Sequence, residues 1–205
     1  MKDILKLYLI ADYLYFAEGF LYRIEKAIKG GVTAVQFRFK GIDDRQAFET
    51  AKDISTLCKR MGTPFFVNNR TDFALLLDAD GVHVGQDDLP VKEVRRLLNG
   101  KLVGVSAGDY EEFLKIRDTG ADYVSFGSVF STPTKQDAGA PIELQGLRAL
   151  VNMAMEIPKI AIGGITLKNV ENVMSCGVDG VAVAGAIMKA EDPESVAREF
   201  RRIIG

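Results

Sequence analysis

The chain has 205 residues, 47% hydrophobic and 26% charged, which suits one folded domain with a sizeable core. A net charge of −2 gives no overall positive field for nucleic acid, and a lone histidine, His83, argues against a histidine triad or zinc site. Cys58 and Cys176 lack metal-ligand spacing and suggest no disulfide framework, and no apolar stretch is long enough to span a membrane, so a cytoplasmic setting is the default expectation.

From the start of the chain, residues 1–12 carry Lys6 and Asp12 inside an apolar run and lack a small-residue cleavage site, so they read as a first strand rather than a signal peptide. Similar short runs follow at 33–39, 64–69, 81–86, 102–107, 123–130, 159–164 and 180–185, making eight. Their near-continuous Val, Ile and Phe content suits parallel strands buried on both faces. Helical patterns lie between them. Ala47, Ala51, Ile54, Cys58 and Met61 form one stripe at helical spacing. Asp109 to Glu112 resembles a capping box, with Gly120 as the C-terminal cap. Thr166 caps a helix carrying Val170, Val173 and Met174, which Gly177 ends, and Asp192-Pro193 starts the last helix. Eight even βα units without a linker point to a single-domain (β/α)8 TIM barrel over 1–205, with a doubly wound open sheet as the structural rival.

In a barrel, chemistry gathers at the C-terminal ends of the strands. On the second strand Gln36, Arg38 and Lys40 alternate and share one side, where cations at a barrel mouth call for an anionic partner. The third strand ends in Asn68 and Asn69, and the fifth in Ser106. After the fourth, Asp87 and Asp88 either cap the helix beyond Pro90 or hold a hard cation such as Mg2+. His83, inside that strand, reads as a packed, hydrogen-bonded residue rather than a general base. The loop after the sixth strand offers the hydroxyls of Thr132 and Thr134 around Pro133, followed by Lys135. Residues 135–145 are the candidate lid. Gly163-Gly164 and Ala184-Gly185 follow strands seven and eight, the usual place for a phosphate cradle on this architecture. One face thus collects cations, hydroxyls, a carboxylate and a cradle, enough for two phosphorylated groups.

Taken together, 36–40, 67–69, 79–88, 104–106, 132–135, 162–165 and 190–195 resemble the thiamine phosphate synthase family, also called thiamine-phosphate pyrophosphorylase, over nearly the whole chain. The resemblance implies a Mg2+-dependent transferase joining hydroxymethylpyrimidine diphosphate to hydroxyethylthiazole phosphate. It implies that Gln36, Phe37, Arg38, Phe39, Lys40, Asn68, Ser106 and Lys135 hold the pyrimidine diphosphate. Arg38, Lys40, Ser106 and Lys135 are the catalytic candidates among them. Thr132, Pro133, Thr134, Gly164, Ala184 and Gly185 line the thiazole phosphate site, and Asp88 and Asn69 are the metal positions. The implied partners are these small molecules, with a possible homodimer. The chain departs from the family pattern at three places: Asn69 replaces the usual Asp, Gly185 the usual serine, and Ala107-Gly108 stands where histidine is common. A weakened paralogue that binds or regulates thiamine intermediates and a thiazole tautomerase-like enzyme are the alternatives.

Overall fold

The computed structural model describes residues 1–17, 19–132, 140–154 and 156–205. Eight parallel strands close on themselves in sequential order: β1 (Leu7–Asp12), β2 (Ala34–Arg38), β3 (Phe65–Asn68), β4 (Gly81–Val84), β5 (Leu102–Ala107), β6 (Tyr123–Phe126), β7 (Lys159–Ile162) and β8 (Gly180–Val183). β8 returns to β1 with Leu7 opposite Val181, so the open-sheet alternative is excluded. The first, short helix α1 (Lys2–Leu5) lies beneath the barrel, where Leu5 is fully buried against the inner cluster.

The helices form where the sequence signals them, with informative differences at their ends. The stripe on α3 (Asp44–Met61) is buried from Ala47 to Cys58 and partly so at Met61, and Asp43 Oδ1 accepts from the Gln46 N–H at 2.9 Å. On α6 (Tyr110–Ile116), Asp109 caps the Glu112 N–H at 2.8 Å, but Glu112 reaches back to Gly108 N rather than to Asp109. That helix stops at Ile116, short of the expected glycine. At α8 (Val170–Met174) the expected cap is inverted: Asn169 Oδ1 accepts from the Thr166 N–H at 2.8 Å. Asp192 caps α10 (Pro193–Ile204) through two N–H groups, as the Asp-Pro pair implies. Several strands end earlier than their apolar runs. On β6 the run continues to Phe130, yet beyond Phe126 it leaves the strand and bonds the end of β7, Val129 N donating to Ile162 O at 2.8 Å and Phe130 N to Gly163 O at 3.1 Å.

Alternation along each strand sorts the side chains into two layers. Residues such as Leu9, Val35, Phe37, Val67, Val105 and Val181 face the helices in the larger core cluster. Tyr8, Ile10, Ala34, Phe66, Tyr123, Ile160 and Ala182 fill the interior. The rings of Tyr8, Phe66 and Tyr123 meet at 5.3–6.1 Å and pack the lower barrel. Gly104 makes room for one of them, since a Cβ there would lie 2.1 Å from Tyr123 Cζ. The barrel is a packed core below, and polar side chains occupy its upper end.

Candidate active site

β1 and β2 pair with Asp12 opposite Arg38. Both point inward at the C-terminal end, and Arg38 Nη1 lies 2.5 Å from Asp12 Oδ2, with the side chains 14% and 3% exposed. Asp12 Oδ1 also accepts from the Leu14 N–H at 2.9 Å, which fixes the carboxylate at the top of β1. The cation anticipated at the mouth is therefore already partnered by a buried acid. Reading the β1 phase as Tyr8, Ile10, Asp12 finds that acid in the sequence.

Below the ion pair runs a buried polar chain across five strands. Gln36 Nε2 donates to the Tyr8 hydroxyl at 3.2 Å, and the Tyr8 and Tyr123 hydroxyls are 3.0 Å apart. His83 Nδ1 is 3.0 Å from the Tyr123 hydroxyl, and His83 Nε2 is 2.9 Å from Ser106 Oγ. Because Tyr8 accepts from Gln36, the order that uses each donor once runs from Tyr8 to Tyr123 to His83 Nδ1, then from His83 Nε2–H to Ser106. That order leaves the Ser106 hydroxyl proton for the mouth. His83 is 6% exposed and held at both nitrogens, in keeping with its reading as a packed residue. Burial raises the pKa of both tyrosines well above the ordinary phenol value, so they stay protonated as the chain requires.

The next strand ends add oxygen donors. Asn68 closes β3 pointing inward, and Asn69 follows with φ +64°, a left-handed conformation that asparagine tolerates. The Asn69 N–H donates to His83 O at 2.8 Å, tying the two strand ends together. Asp88 does not cap α5 (Val91–Leu97). Its Oδ2 accepts from the Gly85 N–H at 2.6 Å and folds the loop over β4. Gln86 Nε2 donates to Ser106 O at 2.6 Å and joins that loop to β5. Among the described residues, no group of three or more His, Cys, Asp or Glu side chains is placed to share a metal ion. Asp88, Asn68 and Asn69, which follow or close the neighbouring strands β3 and β4, offer oxygen donors of the kind a hard cation prefers.

On the opposite side, Gly164 adopts φ +64°, and a Cβ there would lie 2.7 Å from Phe130 Cβ and 2.8 Å from Ser131 O. The loops after β6 and β7 therefore pack at a distance only glycine allows. Asn169 Nδ2 donates to Gly164 O at 3.0 Å and anchors the turn. α8 begins six residues beyond Gly164, so the β7 loop does not lead straight into a helix N-terminus. Gly185 does, opening the short helix α9 (Gly185–Met188) directly after β8. The Tyr15 hydroxyl lies 2.9 Å from where a Cβ on Gly185 would stand, and Lys189 Nζ lies 5.1 Å from the Tyr15 ring centre. A phenol thus occupies space beside the glycine, a neighbour that sequence spacing could not place.

Two of the site candidates move. Phe37 is fully buried on the helix-facing side, stacked on Phe39 at 5.3 Å, and Phe39 stacks on Phe73 at 5.5 Å. Both rings belong to the outer core, because odd positions on β2 face away from the lumen. Gln36, Arg38, Asn68, Ser106, Ala184 and the loop glycines come together at one end of the barrel, with Asn69 and Asp88 beside them. Lys40 is exposed beyond β2, and Thr132 is half-buried at the end of the described loop. Pro133, Thr134, Lys135 and most of the candidate lid lie outside the described residues. Cys58 and Cys176 are free and buried away from this end, and burial pushes the Cys58 thiol up to about 12.

The model of the family described as thiamine monophosphate synthase matches residues 7–187. A thiamine-phosphate synthase of Chloroflexus aurantiacus is 49% identical over 181 residues, covering 88% of this chain and 83% of the relative. One from Pyrococcus horikoshii is 42% identical over 203 residues, covering 99% and 96%. The solved structure of thiamine phosphate pyrophosphorylase from Pyrococcus furiosus superposes with a TM-score of 0.89 at 38% identity, covering 99% of this chain and 96% of that one. A 3-hexulose-6-phosphate synthase structure, 21% identical with a TM-score of 0.71, shares the fold alone. No helix among the described residues is long and apolar enough to cross a membrane.

Proposed function

The chain belongs to the thiamine monophosphate synthase family, and from that premise we propose that its barrel mouth grips two phosphorylated heterocycles at once. Its activity is that of a transferase: it joins hydroxymethylpyrimidine diphosphate to hydroxyethylthiazole phosphate, giving thiamine phosphate and diphosphate. The observation that carries the site assignment is the inward phase of Gln36, Arg38, Asn68 and Ser106 beneath the glycine loops after β7 and β8.

In this reading Gln36, Asn68 and Ser106 hold the pyrimidine, and Arg38, Lys40 and Lys135 face its diphosphate. Gly164, Ala184 and Gly185, with Thr132, Pro133 and Thr134, take the thiazole phosphate. The bond from the pyrimidine methylene to the diphosphate oxygen breaks, and the electron pair leaves with diphosphate. The thiazole nitrogen then supplies its lone pair to the methylene carbon. That nitrogen carries no proton, so the step needs no general base, in keeping with a single histidine committed to structure. Cations fixed where charge develops stabilise the leaving group, and holding two substrates face to face lowers the entropic cost of meeting. Asp88, Asn69 and Asn68 would hold Mg2+, which when bound supplies charge neutralisation of the diphosphate. The free, buried cysteines support a cytoplasmic setting.

The direct test gives the purified protein both substrates over a range of Mg2+ and measures thiamine phosphate. Formation of thiamine phosphate and diphosphate in equal amounts is expected. Tight binding of both substrates with no product at any Mg2+ concentration would instead identify a binding paralogue.

A further inference from the structure

Ser125 is the residue that neither the fold nor the reaction so far accounts for. It sits on β6, two residues above Tyr123 and in the same inward phase, opposite Ser106 on β5 and Ile160 on β7. It is 2% exposed, and its hydroxyl makes no hydrogen bond. A buried hydroxyl without a partner is costly, and native proteins keep few of them.

The surroundings say what such a group would meet. The upper interior wall is divided. From β2 to β6 it presents Gln36, Asn68, His83, Ser106 and then Ser125. From β7 to β8 it presents Ile160, Ile162, Ala182 and Ala184, and β1 adds Ile10. Ser125 is the last member of the polar arc, at its border with the apolar one. The two heterocycles differ in the same sense. An aminopyrimidine carries ring nitrogens and an exocyclic amino group, so it asks for hydrogen bonds along its edge. A thiazole has a sulfur and one nitrogen that must remain free to attack, so it suits the apolar wall.

We propose that Ser125 is a further specificity-determining residue of the transferase, its hydroxyl completing the polar arc by hydrogen bonding the pyrimidine ring of the diphosphate substrate. The inference rests on the two-substrate reading above. Serine reaches alternative partners by rotation about χ1 alone, as donor or acceptor. Its unpartnered hydroxyl is then available as a binding group.

The test is Ser125→Ala, examined by steady-state kinetics, by calorimetric binding of hydroxymethylpyrimidine without its diphosphate, and by melting of the ligand-free protein. The KM for the pyrimidine diphosphate should rise by about five- to fifteenfold, the worth of one hydrogen bond. The affinity for the free pyrimidine should fall by a similar factor. The KM for thiazole phosphate should change by less than about twofold, and the ligand-free melting temperature should hold or rise because no bond is lost. Unchanged affinity for the pyrimidine would overturn the proposal. So would a clear fall in ligand-free melting temperature, which would mean that the hydroxyl is already bonded in the empty protein. Ser125→Gly serves as a second variant that removes the hydroxyl without leaving a methyl in the arc, and must shift pyrimidine affinity in the same direction. Failure of the wild-type protein to make thiamine phosphate would sink the two-substrate reading instead, an outcome separate from any change at Ser125.

Discussion

Asp12→Asn separates two roles that one carboxylate plays at the mouth. Asp12 holds Arg38 at 2.5 Å, with both side chains largely out of water. Breaking a buried pair by removing one partner costs about 3–5 kcal/mol. Asparagine keeps a single oxygen, which serves the Leu14 N–H, and sets its Nδ2 beside Arg38, which loses its acceptor, so a loss of that order is expected. In a chain of this size that lowers the melting temperature by about 6–20 °C. Binding of diphosphate should move the other way. At an effective dielectric of about 20, a negative charge repels each unit of the ligand's charge by about 2 kcal/mol at a separation of about 7 Å. Removing that charge frees Arg38 to turn its whole fork to phosphate. The Kd of inorganic diphosphate, measured calorimetrically at low salt, should therefore fall by about tenfold or more, with the gain shrinking as salt is raised. Turnover should slow as product release slows. A lower melting temperature together with weaker diphosphate binding would refute the reasoning: Asp12 would then act as a splint for Arg38, not as its competing anion.

Replacing Asn69 with Asp adds a charge to the proposed Mg2+ position at a backbone angle, φ +64°, that aspartate also tolerates. The Mg2+ concentration for half-maximal rate should drop by about tenfold, and an unchanged requirement would mean that position 69 does not touch the metal. Burial holds the Tyr8 and Tyr123 phenols above their ordinary value of 10.0, so the native state keeps protons that the unfolded chain gives up. Their stabilisation is complete below about pH 10 and is lost as pH rises toward the native values, at about 1.4 kcal/mol per pH unit for each group. Tyr8→Phe should remove about half of that slope in urea unfolding between pH 10 and 11, at the cost of lower stability at neutral pH. A slope equal to the wild type's would place the alkaline sensitivity elsewhere.

How much of this was legible follows from what period-2 alternation can and cannot say. The strands were visible because a two-sided burial leaves nearly unbroken apolar runs, and the closed order followed from eight even units. The same alternation, applied strictly, separates Gln36 and Arg38 from Phe37 and Phe39. Motif resemblance blurred that distinction, because a contiguous stretch of matched residues carries no parity. Caps were legible where one side chain meets its own helix, as at Asp109 and Asp192. They failed where the partner choice depends on loop geometry, as at Asp88, whose carboxylate turned back to Gly85. The ion pair of Asp12 and Arg38 spans 26 residues, and the chain from Gln36 to Ser106 uses five strands. Such contacts are set by register across the barrel, and register is fixed only when the sheet closes. Once it closes, a constraint appears that no single strand shows. Every inward polar group must find a partner among the inward groups of its neighbours or in a ligand. Tyr8, Tyr123, His83 and Ser106 find each other, and Arg38 finds Asp12. Ser125 finds none, and that imbalance points at the substrate.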